Sequence, residues 1–202
     1  MVDLAMAATL VMIYTNDLFT AYVFIEIMTI SSCALIIVRQ HGHTLVAATR
    51  YMVMNLLASG LVLLGISMLY GITGHLLMEP LNQSVRVIYE SGQYREVLTV
   101  VVALVTISLG IKSAMFPFHA WAPDAYSFAP ALSSSVLSGI VSKAYLFLLI
   151  KFFWRVIGID IIQSQLISTF LFYCGIGGML VASVLAISQR DIRRMVAYSS
   201  VH

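Results

Sequence analysis

Apolar runs long enough to cross a bilayer make up most of this chain, and Glu26, Lys112 and Lys143 stand inside them. A membrane-spanning helix needs about 20 mostly apolar residues. Segments Asp17–Val38, Leu45–Ile72, Val97–Phe116 and Ala131–Trp154 meet that length, and Leu166–Ser188 adds one more. Leu4–Tyr14 is too short to cross alone, and Met195–His202 reads as the opening turns of a further helix. The expected fold is therefore all-α: a polytopic integral membrane protein built as a bundle of transmembrane helices. The half-spans at both ends read as part of a longer subunit, or as a split-gene product completed by a neighbour, because an incomplete span leaves backbone groups unsatisfied in lipid.

Composition supports lipid as the solvent. The chain is 60% hydrophobic and 10% charged, against roughly 25% charged in an ordinary soluble domain. A net charge of +2, with no basic stripe, points away from a nucleic-acid partner. Cys33 and Cys174 lie far apart in separate apolar stretches, which suits packing as small hydrophobes and signals neither a disulfide nor a metal pair. No glycine-rich nucleotide loop or ligand cluster appears, so no cofactor or metal is expected. The N-terminus lacks a basic region and a cleavage site, so the first apolar stretch is not read as a signal peptide. Arg39, Arg50, Arg190, Arg193 and Arg194 collect on one side, opposite Arg86, Arg95, Lys151 and Arg155 with Glu79, Glu90 and Glu96. That slight excess places the N-terminal side in the cytoplasm. Between the second and third spans, Leu77, Leu81, Val85 and Ile88 recur at helical spacing. Either a short interfacial helix or a plain connecting loop accounts for them.

The charged residues carry the chemistry. Ionisable groups at membrane depth are costly and usually mark ion or proton routes. Glu26 falls near the middle of its span, where it either pairs with a cation or bridges helices as a neutral acid. Lys112 stands in Lys112-Ser113-Ala114-Met115-Phe116-Pro117. Pro117 has no N–H for the carbonyl of Ser113, so a break is expected about one turn beyond the lysine. Were helical phase to persist, His119 would share a stripe with Lys112. A kink made for packing, with the lysine reaching toward the interface, is the simpler alternative. Lys143 is deeper in its span, on a face with Ser138 and Ser142 that suits either bound waters or close helix packing. Removing water from an ammonium costs several kcal/mol. A carboxylate about 4 Å away at an effective dielectric near ~20 contributes roughly 4 kcal/mol in its favour. Because these opposed effects are similar in size, moving the carboxylate would change whether the lysine keeps its proton.

Three stretches carry a resemblance to a known family. They are Asn16-Asp17-Leu18-Phe19 through Glu26, Lys112-Ser113-Ala114-Met115-Phe116-Pro117-Phe118-His119-Ala120-Trp121-Ala122-Pro123-Asp124-Ala125, and Gln189-Arg190-Asp191-Ile192-Arg193-Arg194-Met195-Val196-Ala197-Tyr198-Ser199-Ser200. They resemble the antiporter-like subunits shared by respiratory complex I, membrane-bound hydrogenases and Mrp-type cation/proton antiporters. The resemblance implies a partial antiporter-like transmembrane domain over 1–202, with the first five-helix inverted repeat in 1–155 and the start of the second in 156–202. It implies that Glu26 pairs with Lys112 of the broken helix, that Lys143 passes protons toward the subunit centre, and that His119 is the motif histidine. Where the family often has histidine after Pro-Asp-Ala, this chain has Tyr126. The second repeat's ionisable residues are absent.

The implied function is proton or sodium/proton translocation by a Glu26/Lys112/Lys143 relay, with His119, Ser138 and Ser142 in support and Pro117 at the break. Partners would be other membrane subunits of a multi-subunit complex, in a bacterial or archaeal cytoplasmic membrane. No catalytic centre is expected in the chain itself, so any electron transfer would belong to partner subunits of an oxidoreductase. A non-conducting structural subunit is the alternative.

Overall fold

A computed structural model describes residues 1–38, 42–92, 94–163 and 166–200, so Arg39 and the chain end at His202 lie outside the described residues. The helices are α1 (Val2–Tyr14), α2 (Leu18–Ile37), α3 (Gly42–Thr73), α4 (Met78–Ser91), α5 (Arg95–Lys112) and α6 (Ala122–Phe128), with a 3₁₀ turn at His119–Trp121 before α6. They continue as α7 (Ala131–Ile157), α8 (Ile159–Gln163), α9 (Leu166–Ile187) and α10 (Ile192–Tyr198). Helix α7 is continuous but contains two π-helical turns, Leu137–Val141 and Phe153–Ile157. Segments Leu18–Ile37, Gly42–Thr73, Ala131–Ile157 and Ile167–Ile187 are long and apolar enough to cross a membrane. No strand of a sheet occurs among the described residues, where pairing is limited to one isolated bridge between Asp17 and Leu77.

Local chemistry sets the helix ends. Asp17 caps α2 by accepting from the Thr20 N–H at 2.6 Å, and Asp191 caps α10 through the Arg193 N–H at 2.9 Å. Gly92 closes α4 in the left-handed conformation, φ 72°. The α1–α2 and α3–α4 links pair with each other: the Leu18 N–H donates to the Leu76 carbonyl at 3.0 Å and that of Met78 to Asn16 at 2.9 Å. Lys151, which the charge count places at the surface, does a different job. Its ammonium donates to the end carbonyls of α1, at Met12 (3.3 Å), Ile13 (2.7 Å) and Thr15. It thereby satisfies acceptors that a helix end leaves orphaned.

The polar segment after α3 is helical, not a plain loop. Met78, Leu81 and Val85 of α4 are buried, and α4 packs on the second π turn of α7, where Asn82 donates to the Val156 carbonyl at 3.1 Å. The apolar face of α4 therefore meets protein.

Helices α3 and α5 cross tightly at Gly65, where an added Cβ would lie 2.9 Å from Val105 Cγ2, whereas Gly60 has nothing within 4 Å. Overpacking of this kind typically costs about 1–3 kcal/mol. Gly65→Leu is expected to lower the thermal midpoint of the detergent-solubilised protein by several degrees, and Gly60→Leu to leave it unchanged. Equal midpoints for the two variants in a thermal-shift assay would refute the crossing.

Candidate functional site

The break in α5 comes earlier than Pro117 alone implies. The helix ends at Lys112 itself, and the chain turns through Ala114 in the left-handed region (φ 60°) and a cis Phe116–Pro117 peptide before the 3₁₀ turn begins. The freed carbonyls find partners. The Met115 N–H donates to Gly110 at 2.9 Å, and Ile111 accepts from the Ala114 N–H at 3.2 Å and from the Trp121 indole at 2.9 Å. Phe116 seats against α9, where added Cβ atoms on Gly177 and Gly178 would lie 3.0 and 3.3 Å from it. Helical phase does not survive the break. His119 stacks on Phe116 with ring centroids 5.7 Å apart, and its buried Nδ1 has no hydrogen-bond partner. The stripe expected to join it to Lys112 is therefore not formed.

Lys112 is wholly buried and sits at the C-terminal end of α5, where the helix dipole favours a positive charge. Its ammonium does not reach outward to an interface. It donates to Thr29 Oγ1 at 3.0 Å and lies 5.6 Å from the centre of the Tyr145 ring. Thr29 in turn donates to the Ile25 carbonyl at 2.9 Å and is 3.3 Å from the Tyr145 hydroxyl. A hydroxyl has one proton, so in this arrangement Tyr145 is the donor to Thr29.

Glu26 is one helical turn before Thr29 and acts on Lys112 as a nearby charge, but no ion pair within 4 Å joins them among the described residues. Its buried Oε1 has no hydrogen-bond partner. The close Glu26–Lys112 pair expected from the sequence is thus replaced by a lysine on a threonine, with the carboxylate standing off.

Lys143 is outside this cluster. It is exposed, 3.5 Å from the Ser200 carbonyl, in a groove shared with Ser113, Phe116, Cys174 and Gly178. Its neighbour Ser142 is buried, donates to the Leu137 carbonyl at 3.1 Å, and is 2.5 Å from the Tyr126 hydroxyl. With the serine proton committed, Tyr126 donates to Ser142 and ties α6 to the first π turn, which also contains half-buried Ser138.

The interior is divided by depth. Toward the Asp17/Leu77 side, Leu18, Ala21, Ile25, Val62, Ile66, Val105, Leu109, Leu148 and Phe152 line one apolar cleft. Toward the other side polar residues appear among the buried positions: Thr29 and Ser32 on α2, Ser59, Asn55 and Tyr51 on α3, and Tyr145 and Ser142 on α7. At that polar end, Asp124 of α6 accepts from Arg50 of α3 at 2.6 Å and from Arg194 of α10 at 3.0 Å. Thr29, Tyr51 and Tyr145 were not singled out from sequence. The only trace there is a polar residue three positions after a mid-span glutamate, which falls on the same helix face.

Spanning helices gathered around a buried lysine at a helix break define a polytopic membrane protein of transporter-like architecture. The chain belongs to the NADH:quinone oxidoreductase/Mrp antiporter transmembrane family, whose pattern matches residues 15–202. It is 38% identical over 200 residues to NADH-quinone oxidoreductase subunit N of Desulforudis audaxviator, covering 98% of this chain and 38% of that one. It superposes with a TM-score of 0.87 on a chain of the membrane-bound sulfane sulfur reductase, an archaeal respiratory membrane complex, at 29% identity, covering 98% of this chain and 39% of the other. The match to the Mrp complex from Dietzia sp. DQ12-45-1b has a TM-score of 0.84 at 25% identity, covering 98% and 36%. The chain thus spans about two fifths of the length of the relatives it matches, and it is an integral membrane protein.

Removing one partner of a buried hydrogen bond typically costs about 1–3 kcal/mol, while removing both is cheaper. Ser142→Ala is therefore expected to destabilise the protein more than the double variant Ser142→Ala/Tyr126→Phe. A double-mutant cycle of thermal unfolding with no coupling between these positions would contradict the assigned bond.

Proposed function

We propose that this chain carries protons through part of a larger membrane complex and that Lys112 is the group that takes up and releases them. One observation carries the reading: a wholly buried lysine at a helix break, hydrogen-bonded to the Thr29 hydroxyl with no carboxylate in salt-bridge contact among the described residues. A tight ion pair would hold the ammonium charged. Here Glu26 acts from a distance, so a modest shift of α2 alters the balance between burial and attraction. The lysine already occupies the site with its own positive charge, which favours proton over sodium as the cargo.

In the proposed relay, a movement at the subunit boundary brings Glu26 toward or away from Lys112, and the released proton passes toward Lys143. Ser113 directly follows Lys112 and lines the groove that holds Lys143, while Ser142 and Ser138 border the route; His119, stacked on Phe116, would act only through water. Residues 1–155 read as the first repeat and 156–202 as the start of the second. The polar half of the interior is read as facing the cytoplasm, where Arg190 and Arg193 also lie, and the partners as other membrane subunits.

Lys112→Met keeps the length of the side chain and removes the charge. In the assembled complex reconstituted into vesicles, it is expected to cut proton uptake at least tenfold while leaving subunit stoichiometry unchanged. Normal uptake in that variant refutes the role and supports a non-conducting structural subunit.

A further inference from the structure

The outward stripe of α3 formed by Val46, Arg50, Val53 and Leu57 carries a single charge. Its aliphatic members are 55%, 53% and 61% exposed, and the arginine side chain is 63% exposed. From Tyr51 to Thr73 the helix has no charged residue. That is a length of about 33 Å, close to a hydrocarbon core of about 30 Å. Arg50 therefore stands at the depth of lipid headgroups, with apolar surface leading from it toward the bilayer centre.

Beside the arginine a groove runs between α3 and the 3₁₀ turn, lined by Thr49, Arg50, Val53, Met54, Ala120 and Trp121. The Trp121 indole N–H is turned away to the Ile111 carbonyl at 2.9 Å, so this residue offers the groove only apolar ring surface. Arg50 donates to Asp124 at 2.6 Å, and Asp124 also accepts from Arg194 at 3.0 Å. One carboxylate thus serves two guanidinium groups, and the cluster keeps one net positive charge. Arg194 lies against the Phe128 ring, 5.5 Å from its centre, and its side chain is 39% exposed. The more accessible charge is that of Arg50, whose guanidinium has five N–H donors in all.

A groove with a cationic rim at headgroup depth and apolar walls matches an amphiphile of the opposite charge. Guanidinium groups hold phosphate bidentately, and basic residues beside a spanning helix attract anionic lipid. We propose that this groove binds an anionic phospholipid, with its phosphate on Arg50 and an acyl chain along Val53, Met54 and Trp121. The phosphate balances the charge that Asp124 leaves over, so the lipid completes the ion-pair cluster that holds α6 to α3. The site is separate from the proton-carrying reading and uses none of the residues assigned to it.

Photolabelling of the assembled complex tests the site, in vesicles of phosphatidylcholine and phosphatidylglycerol in equal parts with a trace of phosphatidylglycerol carrying a diazirine in one acyl chain. After illumination, peptide mass spectrometry is expected to find the label on Val53, Met54 or Ala120, several-fold more than when phosphatidylcholine carries the diazirine. Arg50→Gln is expected to abolish that preference, and Val53→Trp, which fills the groove and leaves the ion pairs intact, to lower the label several-fold. No label at these residues in the unaltered complex overturns the site and means that a partner subunit covers this face. Equal labelling by the two lipids overturns the anionic headgroup, and an unchanged preference in Arg50→Gln overturns the arginine as its ligand. The comparison of the two lipids uses the unaltered complex, so it decides whether or not the variants assemble.

Discussion

The ammonium of Lys112 against the hydroxyl of Thr29 is the contact around which this bundle is organised. A charge at membrane depth survives only where the surroundings compensate it, and here three weak supports replace one strong one. They are the negative end of α5, the face of the Tyr145 ring and a threonine whose own proton is already committed to Ile25. The helix must end at the lysine for the first of these to exist. The turn through Ala114 and the Trp121 indole on the Ile111 carbonyl satisfy the backbone that this ending exposes. None of the supports is a full counter-charge, which suits a group that changes its protonation state.

The same economy appears in how the helices divide the bilayer. On α2, α3 and α7 buried hydroxyl- and amide-bearing residues begin beyond the aliphatic ones at a common depth, although the chain runs in opposite directions along neighbours. Lys112 sits on the polar side of that boundary. Packing of Val62, Ile66, Val105 and Phe152 closes the other side.

Much of this was legible in the residues. Long apolar runs marked four of the helices that can span, because in lipid the backbone has no alternative to internal hydrogen bonding. The run expected over Val97–Phe116 instead gave a helix that ends at Lys112 and is not among the four. The charges at Glu26 and Lys112 marked one cluster for the same reason. Three features were not legible. Pro117 announces a break, yet the helix stops at Lys112 and turns through Ala114, with Phe116 seated against Gly177 and Gly178, a contact with a distant helix that no local pattern reveals. Lys143 looks deep by its position in α7 and in this chain lies in a groove beside Ser113 and Ser200, a placement set by which helices pack on that face and not by residue type. Thr29 is unremarkable by residue type, and only the approach of α5 makes it the lysine's partner.

Asp124 holds Arg50 and Arg194 at once, and so pins the short helix α6 to α3 and to α10. Its N-terminal end is also anchored through Trp121 beneath the lysine's final turn, its middle through Tyr126 on the π turn of α7, and its C-terminal end through Phe128, whose ring lies 5.5 Å from the Arg194 guanidinium. A segment fastened at both ends and at its midpoint behaves as a crossbar. Tilting α10 would pull on the backbone under Lys112 and on the coil beside Lys143 in the same stroke, so the two amines share a mechanical linkage without touching.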